Sequence, residues 1–274
     1  MGRSAGKRAA LALAAVVVVA GLSGCEDGDG GTKPGASSAS PAAQSREEAT
    51  KAVRAAYGRT AEARSAKVEM RLVVSGTQGA GSSTFTGVQG WSPSVADLKV
   101  TDSSYLADIP GAPAETRAIA SGGTTYMDVG ATQAARTGGK RWMRIDPEQA
   151  AGEDELLTQL TAGLSTVNQD PAKELGLLAD APSVRHIGPV TDHDVKAQAY
   201  EGELAGGKRV EVWIGADGYP VRMIVETTTD KTLTKLTTDY TGYGTGAAVQ
   251  APPAEDTFDL MELLKKIVAG GGQG

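Results

Sequence analysis

Few residues in this chain are of types and spacings that could do chemistry. Asp192-His193-Asp194 places an imidazole between two carboxylates, which suggests a metal site or an acid–base cluster. Successive side chains of an extended segment point to opposite sides, so three neighbours there do not converge. The triplet reads better as a solvated turn with Asx-type hydrogen bonds. His186, the other of the two histidines, falls within a strand pattern and reads as structural. Glu153-Asp154-Glu155 opens a helical pattern, where carboxylates complement the helix dipole. Asp27-Gly28-Asp29-Gly30 begins like a calcium loop, but its third acidic ligand and closing Glu are missing. Gly242-Tyr243-Gly244-Thr245-Gly246 is followed by Pro252-Pro253 and not by a helix. That excludes a dipole-backed phosphate site and suggests a flexible exit from a sheet. The HExxH, GxSxG and Walker patterns are absent. Trp91, Trp142 and Trp213 could form a sugar platform, yet each suits a half-buried strand position better. No catalytic residue, metal or cofactor is expected.

The remaining reactive group is the thiol of Cys25, the chain's single cysteine. Arg3, Lys7 and Arg8 form a basic start, followed by an unbroken apolar run from Ala9 to Ala20. That run is too short to span a bilayer and right for the apolar region of a signal peptide. It ends in Leu22-Ser23-Gly24-Cys25, which matches the bacterial lipobox: small residues fit the peptidase, and the thiol can be alkylated by diacylglycerol. Residues 1–24 are therefore expected to be a signal peptide, with a lipid on Cys25 anchoring the chain to the outer face of the cytoplasmic membrane. Residues 25–44 carry Gly, Ser, Ala, Pro and Asp without apolar periodicity, so they read as a tether. A flexible coil of roughly 19 residues spans on the order of 25 Å. With one cysteine no disulfide can form, so the domain expected over residues 45–268 must be held by its core. A net charge of −6 and a pI near 5.1 argue against nucleic acid and against charge-driven attachment to anionic lipid. A short flexible tail, 269–274, and a monomer complete the expected organisation.

Ser45-Arg46-Glu47-Glu48 is a capping box that opens a helix, whose apolar face is Ala49, Ala52, Val53, Ala56, Tyr57 and Thr60. From Lys67 the period changes to two, and strands are expected at Lys67–Leu72, Ser83–Val88, Val95–Val100, Thr116–Ala120, Thr124–Val129 and Lys140–Ile145. Leu156, Leu157, Leu160 and Leu164 recur at helical spacing. Asp170-Pro171 caps a second helix carrying Leu175, Leu177 and Leu178. Strands return at Val184–Pro189, Lys196–Leu204, Arg209–Ile214, Tyr219–Thr228 and Thr232–Tyr243. Asp217-Gly218 is the strongest hairpin signal, read as a type I′ turn. An amphipathic helix over Thr257–Val268 closes the pattern. The class is α+β with one large antiparallel sheet.

Several features, taken in order, resemble the LppX/LprG family of actinobacterial LolA-like lipoproteins. They are the lipobox and tether, the first helix feeding a strand meander, Tyr126-Met127 followed by Lys140-Arg141-Trp142, and the two leucine-rich helices. After these come the segments Val212-Trp213-Ile214-Gly215-Ala216-Asp217-Gly218-Tyr219-Pro220-Val221-Arg222-Met223 and Asp239-Tyr240-Thr241-Gly242-Tyr243-Gly244. The likeness covers about Arg46 to Leu260, and its most specific part is the Trp-x-x-x-Asp-Gly-x-Pro-x-Arg hairpin. It implies a half-barrel, a curved antiparallel sheet with helices over its concave face and an apolar cavity between them that holds acyl chains. Aromatics make up only 4% of the chain, so the lining would be aliphatic and methionine.

The expected lining is Val68, Met70, Leu72, Leu98, Val100, Met127, Val129, Leu156, Leu160, Val210, Val212, Val221 and Met223. The expected ligand is a lipid or acylated molecule, handed to or taken from a membrane transporter. The alternative is an envelope sensor of the same fold with a filled core and a protein partner. The lipobox has a direct test: Cys25→Ala should abolish acylation and impair signal-peptide processing, and equal labelling of the variant by a radioactive fatty acid would refute it.

Overall fold

The computed structural model describes residues 44–76, 79–107, 110–146, 170–192, 194–229 and 231–264. The leucine-rich segment 153–167, His193, and the signal-peptide and tether segments lie outside them. Helix α1 is Arg46–Ala63, opened by the capping box that the sequence predicts: Ser45 Oγ accepts from the Glu48 amide at 3.3 Å, and the Glu48 carboxylate accepts from the Ser45 amide at 2.7 Å. Strands β1 (Ser65–Gly76), β2 (Gly79–Trp91) and β3 (Ser94–Thr101) follow. A one-turn helix α2 (Ser104–Ala107) precedes β4 (Thr116–Ser121) and β5 (Thr124–Asp128). Helix α3 (Gly130–Ala134) then leads to β6 (Trp142–Ile145). Helix α4 is Pro171–Asp180, with the Asp170 carboxylate accepting from the amides of Ala172 and Lys173 at 2.8 and 3.1 Å. Strands β7 (Arg185–Asp192), β8 (Val195–Leu204), β9 (Lys208–Gly215), β10 (Pro220–Thr229), β11 (Thr232–Thr241) and β12 (Thr257–Asp259) complete the chain.

The twelve strands of the described residues form one open sheet in the order β12-β6-β5-β4-β3-β2-β1-β11-β10-β9-β8-β7. The fold is α+β, one large sheet with helices on one face, as expected. Two antiparallel meanders, β1–β6 and β7–β11, meet where β1 pairs with β11 from Lys67↔Thr241 to Ser75↔Leu233. Strand alternation sends Val68, Met70 and Leu72 to the covered face, and Glu69 and Arg71 to water. On the covered face α1 lays down Ala49, Val53 and Ala56, and α4 adds Ala172, Leu175, Leu178 and Ala179; these residues and the strand residues form one core. Lys208 Nζ of β9 binds Glu174 of α4 at 2.6 Å, and Arg54 of α1 binds Asp180 of α4 at 2.7 Å.

Three expectations are corrected. The sheet is mixed and not wholly antiparallel, because β12 runs parallel to β6. The period of two is the same in either orientation, so it could not reveal this. The expected helix from Thr257 begins instead as this short strand, with Lys140 Nζ donating to the Thr257 carbonyl at 2.8 Å. Helix starts only at residue 260, where the Asp259 carboxylate accepts from the amides of Met261 and Glu262 at 2.9 and 3.1 Å. Finally, β5 stops at Asp128, whose side chain takes the amide of Gly130 at 2.9 Å, so Val129 caps α3 rather than extending the strand.

The β9–β10 hairpin is where the sequence says, with a different turn. The Gly218 amide donates to the Gly215 carbonyl at 2.9 Å, and only Gly218 has a positive φ, 79°. This is a type I turn followed by a left-handed residue, the usual three-residue hairpin loop, and not type I′. The following residue pair is bulged, with Pro220 opposite Ile214 and Arg222 opposite Trp213, which leaves Val221 out of register. A β-branched residue at Gly218 should cost about 1–2 kcal/mol through left-handed strain. Gly218→Val is therefore expected to melt several degrees lower, and a melting temperature within a degree of the parent would contradict the turn assignment.

Candidate functional site

The covered face of the sheet carries the residues expected to line a cavity, and the structure divides them. Val68, Met70 and Leu72 of β1, Leu98 and Val100 of β3, Val210 and Val212 of β9, and Met223 of β10 all belong to the one core. Met70 and Met223 are 1% and 3% exposed, and Val210 and Val212 are wholly buried. Val53 of α1 and Leu175 and Leu178 of α4 belong to the same core, so all eight of these residues, those of β3 included, lie in its closed interior. Val221 sits half-buried in the bulge and Val129 half-buried beyond the end of β5. Leu156 and Leu160 lie outside the described residues.

One half of the covered face belongs to β2–β6. Register places Phe85 of β2 beside Val100 of β3, Leu98 beside Ala118 of β4, and Ala118 beside Met127 of β5. Met127 in turn faces Met143 of β6, and Thr125 faces Ile145. The surface is apolar across five strands, and at its outer end Met127 and Met143 remain half-exposed. Met143 was missed in the sequence, although the alternation of Met143 and Ile145 with Trp142 and Arg144 contains the signal. Methionine thioethers are flexible and polarisable, and they adapt to apolar partners of varied shape.

The aromatic residues do not form a platform. Trp91 is buried and donates its Nε1 hydrogen to the Thr60 carbonyl at 2.9 Å, fixing the end of α1 to β2. Its ring meets Tyr243 edge-on at 6.2 Å, and Tyr243 stacks on Tyr219 at 4.4 Å and on Tyr240 at 6.0 Å. The glycine-rich segment expected to be a flexible exit is tied down: the Gly244 amide donates to the Ser65 carbonyl at 2.9 Å, and the Gly246 amide to Ser65 Oγ at 3.1 Å. This aromatic cluster closes one end of the covered face.

The Trp-x-x-x-Asp-Gly-x-Pro-x-Arg motif proves mechanical. The Arg222 guanidinium lies 4.7 Å over the Trp213 ring and grips Asp239 at 2.6 and 3.0 Å and Asp192 at 2.5 Å. Asp192, a suspected metal ligand, thus serves an ion pair, and Asp239 links the two most distinctive sequence segments. Among the described residues no three metal-ligating side chains gather. His186 Nε2 lies 2.8 Å from Gln198 Oε1, and its ring lies against Tyr200 at 5.0 Å. Trp142 and Trp213 are half-buried strand residues. No described helix is long and apolar enough to cross a membrane.

No family model matches the chain. A Streptomyces coelicolor protein named as a candidate lipoprotein, SCO4650, is 28% identical over 276 residues, covering 92% of each chain. The chain resembles a lipoprotein along nearly its whole length. Among solved structures, LppX of Mycobacterium tuberculosis overlays with a TM-score of 0.44 at 13% identity, covering 75% of this chain and 100% of that one. LprF of Mycobacterium bovis overlays with a TM-score of 0.42 at 13% identity, covering 76% and 98%.

The aromatic cluster has a consequence in alkali. Burial pushes the phenols of Tyr240 and Tyr243 well above their ordinary value of 10.0, and for Tyr243 the neighbouring Tyr240 adds to the effect. Above pH 10.0 the unfolded chain loses these two protons while the folded protein keeps them. Folding stability is therefore full below that pH and falls as pH rises through it. Tyr240→Phe and Tyr243→Phe should each flatten the fall in denaturant midpoint between roughly pH 9 and pH 11. Slopes equal to the parent's would mean the phenols ionise in the folded state.

Proposed function

We propose that this is a lipid-anchored envelope lipoprotein that binds acyl chains at the β5–β6 end of its covered face, around Met127 and Met143. The observation that carries the reading is the half-exposed pair Met127 and Met143, which continues the buried apolar row of Phe85, Leu98, Val100 and Ala118 to the outer end of the covered face. Flexible, polarisable thioethers at the rim of an apolar sheet face suit acyl chains of varied shape. The lipobox at Cys25 and the full-length likeness to a candidate lipoprotein support anchoring at the outer face of the cytoplasmic membrane. Binding requires apolar area and shape, so no catalytic group is assigned, and the partner would be a lipid or acylated molecule exchanged with a membrane transporter.

The rival reading is a sensor lipoprotein with a filled core and a protein partner. It draws on the closed packing of Met70, Met223, Val210 and Val212 among the residues of α1 and α4. Paired substitutions separate the two. Met70→Trp overfills the closed interior and should cost roughly 1–3 kcal/mol. Met127→Trp enters the proposed acyl surface and should leave stability nearly unchanged while displacing co-purified lipid. Thermal unfolding and native mass spectrometry of each variant read both effects. A parent protein that carries no lipid, with Met127→Trp as destabilising as Met70→Trp, would decide for the filled core.

A further inference from the structure

We propose that the outer face of the sheet holds a binding site for a small zwitterion, one joining a phosphate or carboxylate to a primary ammonium. It lies on the opposite side of the sheet from the acyl surface and stands independently of that reading. Strand alternation brings Glu201 and Glu203 of β8, Arg209 of β9, and Glu226 and Thr228 of β10 to this face, with Arg185 of β7 opposite Glu201. These residues, with Ser183, Gly202, Gly207 and Leu233, bound a groove of about 490 Å³. That volume lies within the range of small-molecule sites.

Glu201 is only 5% exposed, and its two oxygens are taken by different guanidiniums, Oε1 by Arg185 and Oε2 by Arg209. Each arginine uses one terminal nitrogen there, out of the five N–H donors a guanidinium carries. Both arginine side chains stay more than half exposed, at 67% and 56%. Glu226, opposite Arg209, and Glu211, opposite Glu201, add negative charge nearby, so what the arginines offer the groove is their free N–H donors and not a surplus of charge.

The negative pole follows from the same diagonal pairing. Glu203 is the direct cross-strand neighbour of Arg209, yet Arg209 reaches past it to Glu201. Among the described residues no ion pair joins Glu203, whose carboxylate is exposed. Glu226 is balanced by Lys235 at 2.9 Å. The groove is thus dipolar, with donors at Arg185 and Arg209 and an acceptor at Glu203. A simple anion would sit beside the unpaired Glu203, and a simple cation beside the exposed guanidiniums. Only a ligand bearing both signs meets both ends favourably.

Calorimetric titration of the full chain in detergent tests this with three probes: glycerophosphoethanolamine, glycerol 3-phosphate and ethanolamine. The zwitterion should bind about tenfold more tightly than either half. Arg209→Gln should abolish this binding. Glu203→Gln, an exposed change that leaves the arginine pair intact, should make glycerophosphoethanolamine no better than glycerol 3-phosphate. Absence of saturable heat with the parent, equal affinity for whole and halves, or an unaltered preference in Glu203→Gln would each overturn the site. A short-chain phosphatidylethanolamine as fourth probe identifies the source. Tighter binding than glycerophosphoethanolamine upholds the site as one for a lipid headgroup, and equal binding upholds it as one for a soluble zwitterion.

Discussion

The structure depends on the pairing of β1 with β11. Each meander is built from neighbours in sequence, strand against next strand through short turns, and could be laid down locally. The seam is different: it registers Lys67 with Thr241 and Ser75 with Leu233 across most of the chain's length. Its covered side is Val68, Met70 and Leu72 against Tyr240, Thr238 and Leu236, with α1 and α4 packed into the same core. Closing so long a loop costs entropy that local contacts cannot repay, and such pairings form slowly. Apolar burial beneath the two helices is what offsets that cost. The α4 helix lies directly before the second meander, and its Glu174–Lys208 pair ties it to β9.

A second layer of specification sits on the outer face. Arg222 gathers Trp213, Asp239 and Asp192 from three other strands, so β7, β9, β10 and β11 are clamped by a single guanidinium. Lysine could not replace it, because the clamp uses a flat ring-stacking surface and a bidentate fork together. The bulge at Val221 and the left-handed Gly218 set the offset that brings Arg222 level with Trp213. The most specific part of the family likeness is therefore the means by which a hairpin holds its register.

Much of this was legible in the residues themselves. Alternation located eleven strands, and the Ser45 and Asp170 caps marked both principal helices. Side-chain parity also chose the buried face correctly for β1, β3 and β9. Legibility ended where partners, and not local preference, decide the outcome. Thr257-Phe258-Asp259 is too short to show a period, and only its neighbour β6 makes it a strand. Val221 has the right residue type at what alternation alone makes the right position, but the bulge displaces it from the face. Met70 and Met127 read alike in the sequence. The helices over one and the open rim beside the other set them apart.

Among the described residues the sheet does not close on itself, so it has two edges, and their composition governs how identical copies tolerate one another. At one end β12 offers only three residues before the chain turns into helix. At the other, β7 carries Pro189, which has no amide hydrogen to give, next to Gly188, whose φ of 137° breaks the regular pleat. Neither edge presents a long uninterrupted ladder to a neighbouring strand. Molecules held in one plane by a lipid at Cys25 would meet far more often than molecules free in solution. For such a population an interrupted edge is the difference between a crowded layer of separate proteins and a sheet that grows from one molecule into the next.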